Sequence, residues 1–238
     1  MKKVLIKLFN LIKRILSALK NHCLPSTTTS LSLHEMYIKE DIKKCYETFK
    51  IYFKESIFID HKNYHKFIIE RAKEYDMFNK KFYLEFGVWK GTSINFFSKY
   101  VHTIYGFDSF EGLREDWSGQ FNHPKGTFNL NKKLPKLNKN VFLVVGWAQD
   151  TLIPFLQKYK PEINFVNLDM DTYESTKFVL TKIKPYLQKN CIISFDELYN
   201  FPGWEVGEYK ALKETFNDNE YKYLVFSSDS GRGAIQII

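Results

Sequence analysis

The chain has 238 residues, a hydrophobic fraction of 44% and a charged fraction of 26%. These values are ordinary for a globular protein and exclude a disordered chain, a fibrous repeat and a disulfide miniprotein. The net charge of +8 raises nucleic acid or an anionic membrane as partners, so its position along the chain decides its meaning.

Residues 1–20 carry Lys2, Lys3, Lys7, Lys13, Arg14 and Lys20 and no acid. Residues 21–238 then hold 29 basic and 27 acidic side chains, a net of +2. At 100° per residue, Val4, Leu5, Leu8, Phe9, Leu11, Ile12, Ile15, Leu16 and Leu19 share one half of a helix, and only Ile6 breaks the pattern. This basic amphipathic helix suits the plane of an anionic bilayer surface, or packing on the protein's own body or on a second subunit of a homo-oligomer. Charges interrupt it too often for a transmembrane span, and no small-residue cleavage site marks a signal peptide. The near-neutral remainder argues against nucleic acid as a partner.

Residues 21–33 are Ser/Thr-rich, contain Pro25 and read as a linker. Residues 34–79 read as a helical extension of two helices with a break near Asp60–Asn63. From residue 80 onward short apolar runs alternate with helical patterns. KFYLEFG, HTIYGFD, NVFLVVG, INFVNLD and CIISFD each end in Gly or Asp, with helices expected at about 91–100, 150–159, 173–188 and 204–217. That alternation predicts βαβ units and a parallel sheet. YKYLVFSS and GAIQII, separated by DSGRG, predict an antiparallel hairpin. Cys23, Cys45 and Cys191 are scattered without a CxxC, so neither zinc nor a disulfide framework is indicated, and the expected compartment is the reducing cytoplasm.

Ligands of open α/β sheets bind at the C-terminal strand ends, where the candidate residues fall. In LEFGVWKGTSI, Glu85, Gly87 and Val88 close a strand, and Gly91, Thr92 and Ser93 open a helix whose N–H groups face a ligand. With two glycines rather than GxGxxG, it also fits an ordinary strand–helix turn. Asp108, followed by Ser109, ends the next strand 21 residues after Gly87, the spacing of an acid that accepts from ribose hydroxyls. A turn-capping Asp is the alternative. Trp147, Ala148 and Gln149 follow Gly146 and could frame an aromatic base, or Trp147 could pack in the core. Asp169, Asp171, Asp196 and Glu197 cluster at two adjacent strand ends. Clustered carboxylates resist ionisation unless a cation sits among them, and oxygen-only ligands favour Mg²⁺, Mn²⁺ or Ca²⁺; helix capping is the alternative.

EFGVWKGTS, YGFDSFEGL, LDMDTYEST and SFDELYNFPGW resemble the macrocin-type sugar O-methyltransferases, which methylate deoxysugar hydroxyls in macrolide and aminocoumarin antibiotics. The resemblance covers residues 80–238. It implies a Rossmann-like class I methyltransferase sheet, parallel strands plus a C-terminal antiparallel hairpin with helices on both faces, preceded by the helical extension. It also implies S-adenosylmethionine and Mg²⁺ as cofactors. Glu85 and Gly87 would lie along the methionine part, Asp108 at the ribose, and Trp147, Ala148 and Gln149 at the adenine. Asp169, Asp196 and Glu197 would ligate the metal, although the family has Asp where this chain has Glu197. Asp169 and Asp171 are the catalytic candidates. The loop Glu111–Lys136 with Tyr173, Tyr199 and Trp204 would wall the acceptor site. The expected acceptor is a sugar of a bacterial capsule or lipopolysaccharide precursor, methylated at the inner face of the cell membrane. An antibiotic sugar, a phenol, or a non-catalytic membrane-tethered binding module are the alternatives.

Overall fold

The computed structural model describes residues 11, 13, 31–117 and 123–238. The basic segment 1–20 therefore lies outside the described residues, except for Leu11 and Lys13, which are helical and exposed, and so does most of the linker. Residues 1–39 and 40–238 form two units. In the first, Ser32 and Glu35 make a reciprocal cap: Ser32 N donates to Glu35 Oε2 at 2.8 Å and Glu35 N to Ser32 Oγ at 3.2 Å. This cap opens helix α1, Leu33–Phe53.

The second unit is built on one eight-stranded sheet. Its strands are β1 (Ile57–Ile59), β2 (Phe82–Phe86), β3 (Ile104–Asp108), β4 (Val141–Val145), β5 (Ile163–Leu168), β6 (Leu187–Phe195), β7 (Tyr221–Ser227) and β8 (Gly233–Ile237). The spatial order is β1-β7-β8-β6-β5-β2-β3-β4. Strands β2 to β6 pair in parallel, and β8 is antiparallel to both β6 and β7. The expected parallel sheet with a terminal hairpin is thus present, with the last strand inserted between β6 and β7.

The helices are α2 (His61–Lys73), α3 (Thr92–Phe97), α4 (Ala148–Tyr159), α5 (Tyr173–Ile183) and α6 (Glu208–Thr215). Along β6 the side chains alternate. Cys191, Ile193 and Phe195 enter a core shared with α4, α5 and α6, and Ile192 enters one shared with α2 and α3. That period of two, buried on both faces, is why the strand reads as a continuous apolar run.

Two expectations change. The break in residues 34–79 is not a plain turn: β1 lies there and pairs in parallel with β7 through Ile57↔Val225. Three residues are too few to show alternation. Asp60 then caps α2, accepting from Lys62 N and Asn63 N at 3.1 Å. The helix expected over 173–188 ends at Ile183, because Pro185 cannot continue it. A 3₁₀ turn over Lys184–Tyr186 leads directly into β6.

Candidate functional site

The parallel strands β2 to β6 all end on one edge, and that edge forms a cavity of about 650 Å³. Gly87, Asp108, Gly146, Asp169 and Asp196 line it, one from each strand end. The volume is that of a small-molecule site.

Gly87 has a φ of 87°, and a Cβ there would lie 1.7 Å from the carbonyl oxygen of Asp169. No other residue fits. The turn it makes is held by Asp108: Val88 N and Trp89 N donate to Asp108 Oδ2 at 2.8 and 2.7 Å, and Phe110 N donates to Oδ1 at 2.6 Å. Asp108 therefore caps the turn and also lines the cavity. Oδ2 is filled, and Oδ1 keeps one lone pair for a hydroxyl donor.

Val88, Thr92, Ser93 and Ser109 line the cavity. Gly91 and Glu85 do not. Gly91 starts α3 at a φ of 78°, where a Cβ would meet Leu137 at 2.5 Å. Glu85 is fully buried below the cavity and reaches it through Ser93, whose hydroxyl donates to Glu85 Oε1 at 2.7 Å. Burial pushes the Glu85 carboxyl up to about 8, and its Oε2 has no partner.

Trp147, Ala148 and Gln149 line the cavity where α4 begins, and the Arg114 guanidinium stands 5.9 Å from the Trp147 ring centroid. Leu113, Arg114, Trp117, His123 and Phe128 bring the loop Glu111–Lys136 to the wall. Tyr199 and Trp204, expected there, are instead buried in the core, packed against Phe49 of α1 at ring distances of 5.6 and 5.4 Å. Large apolar rings gain more from this burial than from a wet wall.

The carboxylates of Asp169, Asp171 and Glu197 bring oxygens within 4.8 Å of one another. Asp171 reaches this position with a φ of 64°, a left-handed conformation that Asp tolerates. Burial, with Asp196 close by, pushes Asp171 up to about 7 and holds Asp169 and Glu197 well above the carboxylate range. The Glu197 Oε2 atom is buried without a partner. Three converging carboxylates, with an oxygen of Glu197 left unpartnered, fit a hard divalent cation.

Asp196 lines the same cavity but accepts from Arg232 Nε. The structure thus groups Asp171, rather than Asp196, with Asp169 and Glu197. The reason is register: Phe195 pairs with Gly233 across β6 and β8, so the residues just beyond, Asp196 and Arg232, face each other.

Sequence reasoning missed four contributors. Lys62 and His65, one turn apart on α2, line the cavity from the segment taken as an extension. Burial, then the Arg232 charge, pushes His65 down to about 4. Arg232 sat unremarked in the DSGRG turn. Glu208, buried at the start of α6, accepts from Glu197 N at 2.9 Å through Oε2. The charged residues of the hairpin turn were the available signal for Arg232; Glu208 gave none.

Residues 84–198 match a family described as a methyltransferase domain. The chain is also similar to solved structures. CalS11, a calicheamicin methyltransferase, shares 23% identity over 72% of this chain and 78% of its own, with a TM-score of 0.57. An apo structure described as a TDP-rhamnose 3′-O-methyltransferase of calicheamicin biosynthesis shares 20% identity over 87% of this chain and 96% of its own, with a TM-score of 0.54. The O-methyltransferase NovP shares 17% over 74% and 79%, with a TM-score of 0.51. At these identities the likeness shows the fold, a Rossmann-like methyltransferase sheet. No curated protein matches the chain.

Proposed function

We propose that the protein is an S-adenosylmethionine-dependent O-methyltransferase that uses a divalent cation, Mg²⁺ in the first instance, and methylates a sugar hydroxyl. One observation carries this reading. A single cavity holds the Gly87 turn, Asp108 and Trp147 together with the triad Asp169, Asp171 and Glu197. The methyltransferase-domain match over residues 84–198 and the sugar-modifying activity in one neighbour's description support it.

S-adenosylmethionine supplies an electrophilic methyl group on sulfur. A cation held by Asp169, Asp171 and Glu197 supplies Lewis acidity that lowers the pKa of the acceptor hydroxyl. The chain's own residues do the rest. Asp108 Oδ1 accepts from a ribose hydroxyl. The turn at Gly87 lets backbone approach the cofactor closely, Ser93 lines the wall beside it, and Trp147 and Ala148 flank the adenine. Asp171, ligating through one carboxylate oxygen, would take the proton from the acceptor oxygen on the other as the new O–CH₃ bond forms and the S–CH₃ bond breaks. Alignment of the two reactants supplies much of the acceleration.

The acceptor we propose is a sugar of a capsule or lipopolysaccharide precursor, met at the cytoplasmic face of the cell membrane. Residues 1–20 would dock on that anionic surface through their six basic side chains. Among the described residues no helix is long and apolar enough to cross a membrane. The test is methyl transfer from labelled S-adenosylmethionine to envelope glycan precursors, with and without a chelator. Transfer that a chelator stops is the expected result. Absent cofactor binding by calorimetry refutes the enzyme, and full activity in chelator refutes the metal. Deleting residues 1–20 should abolish liposome binding while leaving transfer to a soluble acceptor intact.

A further inference from the structure

A second cleft, of about 180 Å³, adjoins the main cavity and shares Trp117, Asp171 and Glu197 with it. Six carboxylates line it: Glu115, Asp116, Asp171, Glu174, Glu197 and Glu208. No basic side chain lines it among the described residues. Three rings, of Trp117, Tyr173 and Phe201, complete the wall. The Thr172 and Ser175 hydroxyls both donate to Glu115 Oε1. Glu208 is wholly buried, Glu197 N takes its Oε2, and its Oε1 has no hydrogen-bond partner. A buried acceptor left without a donor costs about 1–3 kcal/mol, more if charged.

A ligand that relieves this must bring N–H or O–H donors, and a positively charged one would also answer the carboxylates lining the cleft. Acids beside aromatic faces are the surroundings an organic ammonium prefers, combining charge pairing with cation–π attraction. The volume equals about six waters at roughly 30 Å³ each, more than a bare ion needs with ligand oxygens at about 2–2.6 Å.

We propose that this cleft binds an ammonium group of the acceptor, which makes the acceptor an amine-bearing sugar. The proposal rests on the methyltransferase reading and names its substrate class. Because Asp171 and Glu197 belong to both spaces, the ammonium and the reacting hydroxyl lie a few bonds apart, as in an amino sugar. An anionic acceptor group is repelled from the same position.

The test uses the full chain and three probes: glucosamine, N-acetylglucosamine, which lacks the charge and adds an acetyl group, and glucose, which replaces the amine by a hydroxyl of similar size and should bind as weakly as N-acetylglucosamine. Binding is followed by saturation-transfer NMR at about pH 7, where an amino-sugar amine, like an α-amino group, is still mostly charged. Glucosamine should bind at least about tenfold tighter than the other two, a difference of about 1.4 kcal/mol. Glu174→Gln and Asp116→Asn, at two exposed positions, should each weaken it about threefold or more, and Glu208→Gln should weaken it further. Calorimetry with S-adenosylmethionine should be unchanged in the two surface variants. Binding of glucosamine no tighter than that of glucose or N-acetylglucosamine overturns the proposal. So does a second Mn²⁺ equivalent that is lost in Glu208→Gln, which would assign the cleft to a second metal ion. If the wild type binds S-adenosylmethionine but does not discriminate the sugars, only the cleft assignment falls. If it does not bind S-adenosylmethionine, both readings fall.

Discussion

Gly87 and Asp169 meet where β2 and β5 end, so closely that a Cβ on residue 87 would stand 1.7 Å from the Asp169 carbonyl oxygen. The glycine turn and the acid triad are therefore one structural unit. Gly87→Ala must move the Asp169 backbone and also adopt a left-handed conformation. The expected cost is at least about 1–3 kcal/mol. Thermal unfolding should show that loss, and calorimetry should show weakened binding of both S-adenosylmethionine and Mg²⁺, since one displacement disturbs both sites.

The Asp196–Arg232 pair is partly buried, with side-chain exposures of 19% and 25%. Removing one member leaves the other uncompensated. Arg232→Met should destabilise by about 3 kcal/mol in denaturant unfolding. Adding Asp196→Asn should recover part of that loss, because the orphaned charge is gone. Additive losses in the double variant would show that the pair is not coupled.

Stability should depend on pH in a direction set by the acid cluster. Asp171 rises to about 7 and Glu85 to about 8 in the folded chain, from 3.8 and 4.5. Between those values the folded state binds more protons, so the stability they contribute is complete at low pH and is lost as pH rises through about 7 and 8. His65 works the other way. Its value of about 4 against 6.5 makes its contribution grow from about pH 4 to 6.5. Over these three groups the net fall in melting temperature should therefore be steepest between about pH 6.5 and 7 and slower from there to about 8. Mg²⁺ should reduce that fall, and its stabilising effect should be larger at pH 8 than at pH 5. A melting temperature indifferent to Mg²⁺ at pH 8 would count against a metal at the triad.

Phe49 of α1 is fully buried and makes edge contacts with Tyr199, Trp204, Tyr209, Tyr223 and Phe226 at ring distances of 5.3 to 5.6 Å. Phe49→Ala should cost about 3–5 kcal/mol. The measurement is the denaturant midpoint, with a smaller loss expected for Phe49→Leu.

The sequence alone carries the sheet and the edge on which the site forms. Strands buried on both faces announce themselves as apolar runs, and Gly87, Asp108, Asp169 and Asp196 punctuate their ends because the chain must turn there. Local rules cover both. The amphipathic helix expected over residues 1–20 is also an argument from spacing, and apart from Leu11 and Lys13 it lies outside the described residues. Tertiary structure decided the partners. That Asp196 faces Arg232, leaving Asp171 to join Asp169 and Glu197, depends on β8 entering between β6 and β7 with Phe195 opposite Gly233. Residues 36 positions apart are brought together by strand register, and nothing in either local sequence encodes that pairing. Likewise β1 takes its place from β7, Tyr199 and Trp204 follow Phe49 into the core, and Lys62, His65 and Glu208 reach the site from helices whose own patterns show only an amphipathic surface. Periodicity fixes which side chains a strand or helix buries; only long-range packing determines which charges share a cavity.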